Sequence, residues 1–510
     1  MLSVLVFLPL VGLLGVLLAP ARAARVVNVL TSLAVLAVAV AVGLRAGDLA
    51  GHSLRETADW IPALGIRYDV ALDGVSLSLV LLTAFVSACA ALASWRVERS
   101  PRGYHAMFLL LLTGMLGVFV AMDLFLFYVF WELMLLPMYF LIGVWGGPRR
   151  QYAAIKFFLY TLFGSVLLLA GLLVVVLVNR DPVTNLPVWQ IDRLAELAAA
   201  SGGLVADRGL ALAVFLGMFV GFAVKIPSFP FHTWLPDAHV EAPTPISMIL
   251  AGVLLKMGGY GLIRVAYPFF PEAAASVWWV IATLSAIAIV YGALVAMAQT
   301  DFKRLIAYSS VGHMGFVTLG IAAATAGGLH GAMYMMLAHG TISAMLFMVV
   351  GVIYDRAHHR DIDRFGGLAW TMPRYAVLAS FAFFASLGLP GLSGFVAEVT
   401  TLVGSFASVI PGYRWFAVAA LLGIVVTAGY YLITLQKVFL GATPEAYRDP
   451  ARFPDVSARE LAVLLPLAAV TLLMGLWPAF VMDLYAGVVD RVVPTLEAAV
   501  RTVVLGGAVR

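Results

Sequence analysis

Four ionisable side chains stand in stretches that are otherwise almost wholly apolar. Glu132 lies in Phe127-Tyr128-Val129-Phe130-Trp131-Glu132-Leu133-Met134, and Lys256 lies in Gly252-Val253-Leu254-Leu255-Lys256-Met257-Gly258. Lys225 directly precedes Ile226-Pro227-Ser228-Phe229-Pro230, and Glu398 follows Gly388-Leu389-Pro390-Gly391-Leu392-Ser393-Gly394. A charge at mid-membrane costs at least about 2.5–3.5 kcal/mol on insertion scales, so such residues rarely lack a purpose. Burial pushes a lysine pKa down, and a nearby carboxylate pushes it back up. A Glu–Lys pair is therefore a proton switch with two charge states. Arginine would serve badly, because it does not deprotonate in proteins. The sequence places lysine at both central basic positions.

Histidines form a second set. His313 and His339 each fall near the middle of an apolar run, and His232 follows the first proline break. A neutral imidazole relays protons near physiological pH. Weakly polar neighbours (Tyr308-Ser309-Ser310-Val311-Gly312 and Gly340-Thr341) favour a wet surrounding. Two other readings stay open at this point: the charges are static glue between helices, or His313 and His339 are axial haem ligands. Lys156 is nearer the end of its run, where a lysine snorkels to the interface. The sequence holds no phosphate-binding loop, zinc spacing or dinucleotide fingerprint. Its one cysteine, Cys89, excludes a disulfide framework and a self-contained iron–sulfur cluster. No cofactor is expected in this chain, and energy for transport must come from an ion gradient or a partner subunit.

The elements that hold these residues follow from composition. Of 510 residues, 63% are hydrophobic and 11% charged, whereas soluble domains carry about 25% charged residues. Lipid, not water, must solvate such a surface. A net charge of +4 is too weak for a nucleic-acid binder. Crossing a hydrocarbon core takes about 20 apolar residues. About fourteen such windows appear: 2–20, 25–44, 74–95, 105–122, 124–145, 153–178, 210–232, 245–267, 276–298, 304–323, 328–352, 374–402, 414–436 and 460–482. The predicted fold class is an all-α polytopic membrane protein. The first window lacks a preceding basic residue and is read as a retained span, not a signal peptide.

Alternate loops divide the Lys and Arg unequally. Arg22, Arg25, Arg96, Arg99, Arg102, Arg149, Arg150, Lys303, Arg304, Arg356, Arg360 and Arg452 are among those on the richer side, and Arg45, Arg55, Arg67, Arg264 and Arg510 among those on the poorer. The richer side is expected to be cytoplasmic, with both termini outside. The connection Thr233 to Thr244 breaks the trend, with Asp237 and Glu241 but no Lys or Arg. Spans four to eight and nine to thirteen form blocks of similar length, each with a proline-and-glycine break in its fourth span. Five spans per block is odd, so successive blocks enter the membrane from opposite sides, as in an inverted-topology repeat. The expected organisation is three spans over 1–104, a first repeat over 105–267, a second over 268–440, and a loop, last span and tail over 441–510.

Three long strings carry a resemblance. The run from Phe231 to Ser247 (Phe-His-Thr-Trp-Leu-Pro-Asp-Ala-His-Val-Glu-Ala-Pro-Thr-Pro-Ile-Ser), the run Asp301-Phe302-Lys303-Arg304-Leu305-Ile306-Ala307-Tyr308-Ser309-Ser310, and Phe130-Trp131-Glu132 resemble signatures of the antiporter-like subunits of respiratory complex I. The likeness spans nearly the whole chain. It implies fourteen transmembrane helices with two inverted five-helix repeats, helices seven and twelve being broken. It implies that Glu132 and Lys225 form the input pair of a half-channel. It further implies that Lys256, His313 and His339 carry protons along a hydrated axis, with Glu398 as the outlet. Flavin, iron–sulfur clusters and quinone are expected in partner subunits, and the partners include neighbouring antiporter-like subunits in a bacterial cytoplasmic membrane. Some members carry lysine where this chain has Glu398. One member has a long C-terminal amphipathic helix, which this chain, ending soon after its last span, is expected to lack. Subunits of multisubunit cation/proton antiporters share the fold and remain the alternative.

Overall fold

The computed structural model describes residues 1–449, 451 and 453–506; Arg452 and Arg510 lie outside the described residues. Among the described residues, twelve helices are long and apolar enough to cross a membrane, from Ala24–Arg45 to Ala458–Leu476. The two remaining windows take other forms. The first is the 17-residue helix Leu2–Leu18. The window at 374–402 is two 14-residue helices, Pro373–Ser386 and Ser393–Phe406. Burial separates an inner from an outer set. The most apolar windows of Thr244–Phe269 and Ala326–Ala357 are 100% buried, against 28% for Arg414–Phe439. Lys256 and His339 thus sit on the innermost helices, while outer helices show leucine and valine to lipid.

The inverted repeat has a backbone signature. Asp123 caps the helix Leu124–Leu133, and Asp301 caps Phe302–Ala322, each through two backbone N–H groups. Each aspartate also lies in an isolated antiparallel bridge, Asp123 with Gln190 and Asp301 with Asp361. In the first, Leu124 N–H donates to Trp189 and Ile191 N–H to Met122, at 2.9 and 2.8 Å. In the second, Phe302 N–H donates to Arg360 and Ile362 N–H to Thr300, at 2.9 and 2.8 Å. The same two-bond clip therefore closes the second and third spans of each block. Likewise, the 29-residue helix Arg150–Val178 and the 32-residue helix Ala326–Ala357 each pack against both halves of a broken span.

Two expectations need correction in detail. The spans are helical as expected, and residues within the Arg45–Asp73 connection add an antiparallel hairpin, Ser53–Ile61 with Ile66–Leu72. Arg55 ties it down, bonding Asp69 within the hairpin and Asp192 on the surface helix Ile191–Ser201, both at 2.5 Å. Burial opposes the ionisation of Asp192, but the Arg55 guanidinium overcomes it and holds the carboxyl below its usual range. The second correction concerns the end of the chain. The last span stops at Leu476, because Pro478 disfavours a helical conformation at Trp477 (φ −132°, ψ 72°). The expected tail is a 22-residue helix, Ala479–Val500, buried at Val481, Tyr485, Val488, Val489, Val493 and Leu496. This spacing is that of one helix face. The opposite face exposes Asp483, Asp490 and Arg491, which hides the helix from a search for unbroken apolar runs.

Asp301→Ala removes the cap and the partner of Arg360, whose Nε lies 3.1 Å from the Asp301 carboxylate. We expect a loss of about 0.5–2 kcal/mol from the cap alone, read as a lower melting temperature of the purified protein in detergent. Asp301→Asn, which still accepts, should lose less.

Candidate functional site

The first part of the site forms where two helices stop. Glu132 is on the last turn of Leu124–Leu133. Lys225 is the final residue of Arg208–Lys225, which ends there because Pro227 has no N–H to continue the ladder. Lys225 is 4% exposed. Its ammonium lies 5.2 Å from the centroid of the Trp131 ring, a cation–π distance. Among the described residues no ion pair joins Glu132 and Lys225, and Oε1 of Glu132 has no hydrogen-bond partner. The pair is held open, with the indole face in the carboxylate's place.

The second part centres on Lys256. Its span contains two π turns, Leu250–Leu254 and Leu262–Ala266, on either side of the α-helical turn Leu255–Gly261. Such turns often mark functional positions. Lys256 is fully buried, and its ammonium donates to the carbonyl of Ala251, inside the first π turn. Its Nζ also lies 2.6 Å from Nδ1 of His339; when the lysine is an ammonium, Nδ1 is the acceptor and the neutral ring carries its proton on Nε2. Gly258 brings this helix against the Lys225 helix: a Cβ there would lie 2.6 Å from the Phe222 carbonyl and 2.8 Å from the Ile226 nitrogen.

The third part uses the second break. The rings of His339 and His313 are 5.4 Å apart, and the space between them is too small for a porphyrin. His313 Nε2–H donates to the carbonyl of Ser386 at 3.1 Å, an oxygen freed because the helix ends at Ser386. The Ser386 hydroxyl bonds Tyr431 at 2.8 Å, and Tyr431 bonds Ser309 at 3.1 Å. Glu398, 3% exposed, lies on the other half-helix. Its Oε2 packs onto Gly388, which has φ +80° and no room for a Cβ.

Lys256, His339 and His313 are thus one contact chain, while Glu398 packs on the second break at Gly388 without a hydrogen bond to that chain among the described residues. Glu132 and Lys225 form a separate cluster around Trp131. His232 joins neither by hydrogen bonds: both ring nitrogens lack partners among the described residues, and the ring packs on Phe229 and Tyr291 at 5.7 and 5.2 Å. The reading of Lys156 as a snorkelling side chain is incomplete, since its ammonium is 2.7 Å from Asp237.

Sequence reading passed over several residues. His239 is fully buried and stacked on Phe347 at 4.4 Å. Its signal was a second histidine seven residues after His232. Lys303 looked like a loop charge, yet it is 4% exposed and donates to the Ala242 carbonyl. The anomalous acidic connection is also explained. It contains the helix Trp234–Glu241, with Asp237 bonded to Lys156 and Arg304 and Glu241 to the backbone of Arg149. Its Asp237 is balanced by cations on two neighbouring helices, Arg150–Val178 and Phe302–Ala322.

A helical membrane bundle with two broken spans and a buried Lys–His contact chain between them fits an ion-translocating membrane subunit. Residues 121–427 match the family described as NADH:quinone oxidoreductase/Mrp antiporter, TM, and the chain belongs to that family. It is 44% identical over 454 residues to NADH-quinone oxidoreductase subunit M of Rhodobacter capsulatus, covering 89% of this chain and 86% of the relative. A chain of respiratory complex I from Thermus thermophilus superposes with a TM-score of 0.85 at 31% identity, covering 99% of this chain and 100% of that one. A chain of the Mrp complex from Dietzia sp. shares the fold, with a TM-score of 0.82 at 24% identity over 99% of each chain.

Gly388→Ala forces a side chain into the left-handed region and against Glu398. Strain of this kind costs about 1–3 kcal/mol. We expect a lower melting temperature in detergent, whereas Gly429→Ala, with nothing within 4 Å of the added Cβ, should leave it unchanged.

Proposed function

We propose that this chain serves as the antiporter-like subunit M of a bacterial NADH:quinone oxidoreductase, the counterpart of mitochondrial subunit 4. It translocates protons while electron transfer takes place in other subunits. The observation that carries this reading is the contact chain Lys256–His339–His313, in a sequence 44% identical to a subunit M. A lysine held by a carbonyl and an imidazole has no fixed counter-charge, and its proton can leave along the histidines.

In this reading Glu132 and Lys225 are the input pair. Closing the pair stabilises the Lys225 ammonium through the carboxylate, and opening it leaves the Trp131 face as the remaining partner. The change in field at Lys256 alters its readiness to release a proton toward His339 and His313. Glu398 receives it beyond the second break, and His232 lies beside the entry. Residues 105–267 and 268–440 are the two inverted repeats that hold these halves, after an N-terminal unit over 1–104 and before a C-terminal one over 441–510. The protein lies in the cytoplasmic membrane with both termini on the periplasmic side. Flavin, iron–sulfur clusters and quinone belong to partner subunits, and this chain carries none. Neighbouring antiporter-like subunits pack beside it.

The alternative is a subunit of a multisubunit sodium/proton antiporter, favoured only by the fold shared with the Mrp chain. Co-purification decides between them: the proposal expects a flavin- and iron–sulfur-bearing NADH dehydrogenase to arrive with this chain. Sodium-dependent transport without NADH oxidation would support the antiporter.

Glu132→Ala should abolish or sharply reduce pumping in reconstituted vesicles while assembly persists, and unaltered pumping would count against the input pair. Lys225→Arg should impair pumping as well, because the charge stays but cannot be discharged. If arginine works as well as lysine there, the switch fails.

A further inference from the structure

A second polar chain begins one helical turn from Lys256, in a direction the pathway above does not use. Tyr260 is one helical turn further along the same span, on the same face, and is fully buried. Its hydroxyl donates to the Phe119 carbonyl at 3.1 Å and lies 3.4 Å from the hydroxyl of Ser76. Ser76 is 3.3 Å from Nη2 of Arg264, and the same Nη2 bonds the Asp73 carboxylate at 2.6 Å. Asp73 is fully buried, also accepts from the Ser76 backbone N–H at 3.0 Å, and lies 3.8 Å from His52. His52 stands in the connection that carries the β-hairpin, with its side chain 17% exposed. A line of polar groups therefore runs from one turn beyond the central lysine to the hairpin-side surface.

Hydroxyls and an imidazole relay protons, so such a line beside a protonatable lysine is a leak unless something closes it. Arg264 stands across it. The guanidinium cannot give up its proton, so it takes no part in a relay, and its fixed positive charge repels an approaching excess proton. Arginine serves as a proton barrier in this way in membrane pores. Asp73 keeps that cation in a site with only 10% of its side chain exposed, where an unpaired charge would be costly.

We propose that Arg264, fixed by Asp73, is an electrostatic seal on the hairpin side of the first half-channel, preventing protons at Lys256 from escaping there and sending them to Glu398. The inference rests on the proton-translocating reading. It makes Arg264 an insulating residue: its loss uncouples proton movement from electron transfer without blocking either.

The test uses the intact complex reconstituted into vesicles with an internal pH dye. One readout is passive proton flux under an imposed gradient, and the other is protons moved per NADH oxidised. Asp73→Asn with Arg264→Gln removes both charges and keeps a neutral hydrogen-bonded pair. We expect passive flux to rise several-fold and protons per NADH to fall, with NADH oxidation maintained. Asp73→Asn alone keeps the guanidinium and leaves it a neutral hydrogen-bond acceptor, and should stay much tighter than the double variant. A purely structural clamp would make the single variant as damaging as the double. Adding Lys256→Met to the double variant should close the leak again. A double variant as tight as the wild type, or a single variant as leaky as the double, overturns the seal. Should the double variant not assemble, Arg264→Gln alone is expected to leak, and a tight vesicle overturns the proposal equally. Failure of the translocation reading shows separately, as normal pumping by Glu132→Ala in the sealed complex.

Discussion

The structure turns on holding a cation deep in the bundle without a carboxylate. Lys256 is fully buried and has the Ala251 carbonyl and the His339 ring as partners. Neutral dipoles stabilise an ammonium enough to admit it, yet much less than a paired carboxylate would. An ion pair inside a low-dielectric medium is hard to break, and a lysine so paired would keep its proton. The partners here bind either form: a neutral amine donates to the carbonyl as an ammonium does. The π turns that expose the carbonyl and the glycine that brings the neighbouring helix close serve this one site.

Breaks in the helices extend the same logic. A continuous helix uses its own carbonyls and offers nothing to a side chain within the membrane. At the second break the chain frees Ser386, which receives His313. At the first break the helix stops on Lys225, leaving its ammonium at a helix end beside the Trp131 face. One break falls in the first half of the chain and one in the second. The matching two-bond clips at Asp123 and Asp301 fix where each half begins.

Much of this was legible in the sequence, because lipid makes the rules severe. Apolar runs, charges within them and proline breaks marked the spans and four of the central residues. What escaped depended on angles and not on composition. The hairpin has no apolar alternation to announce it, since both faces of Ser53–Ile61 are largely exposed. The helix Ala479–Val500 hides because Asp483, Asp490, Arg491 and Glu497 interrupt its apolar run. Lys303 and His239 became part of the interior only when the segment Trp234–Glu241 folded as a helix against neighbouring spans. The bond from His313 to Ser386 joins residues 73 positions apart, and no pattern along the chain predicts it.

Lysine and arginine divide the interior by chemistry. The chain has five lysines, and the three most buried, Lys225, Lys256 and Lys303, are each held by a ring or a carbonyl with no ion pair among the described residues. The other two, Lys156 and Lys437, stand nearer the surface and are paired with Asp237 and Asp363. Arginines behave in the opposite way. Arg264, Arg356, Arg360 and Arg304 bond Asp73, Glu460, Asp301 and Asp237. A guanidinium always carries charge, so a buried one needs a carboxylate permanently. An amine that must lose its charge in each cycle would be trapped by the same partner. Each of these guanidinium charges is thus balanced by a carboxylate, whereas the three buried lysines are met by neutral groups alone.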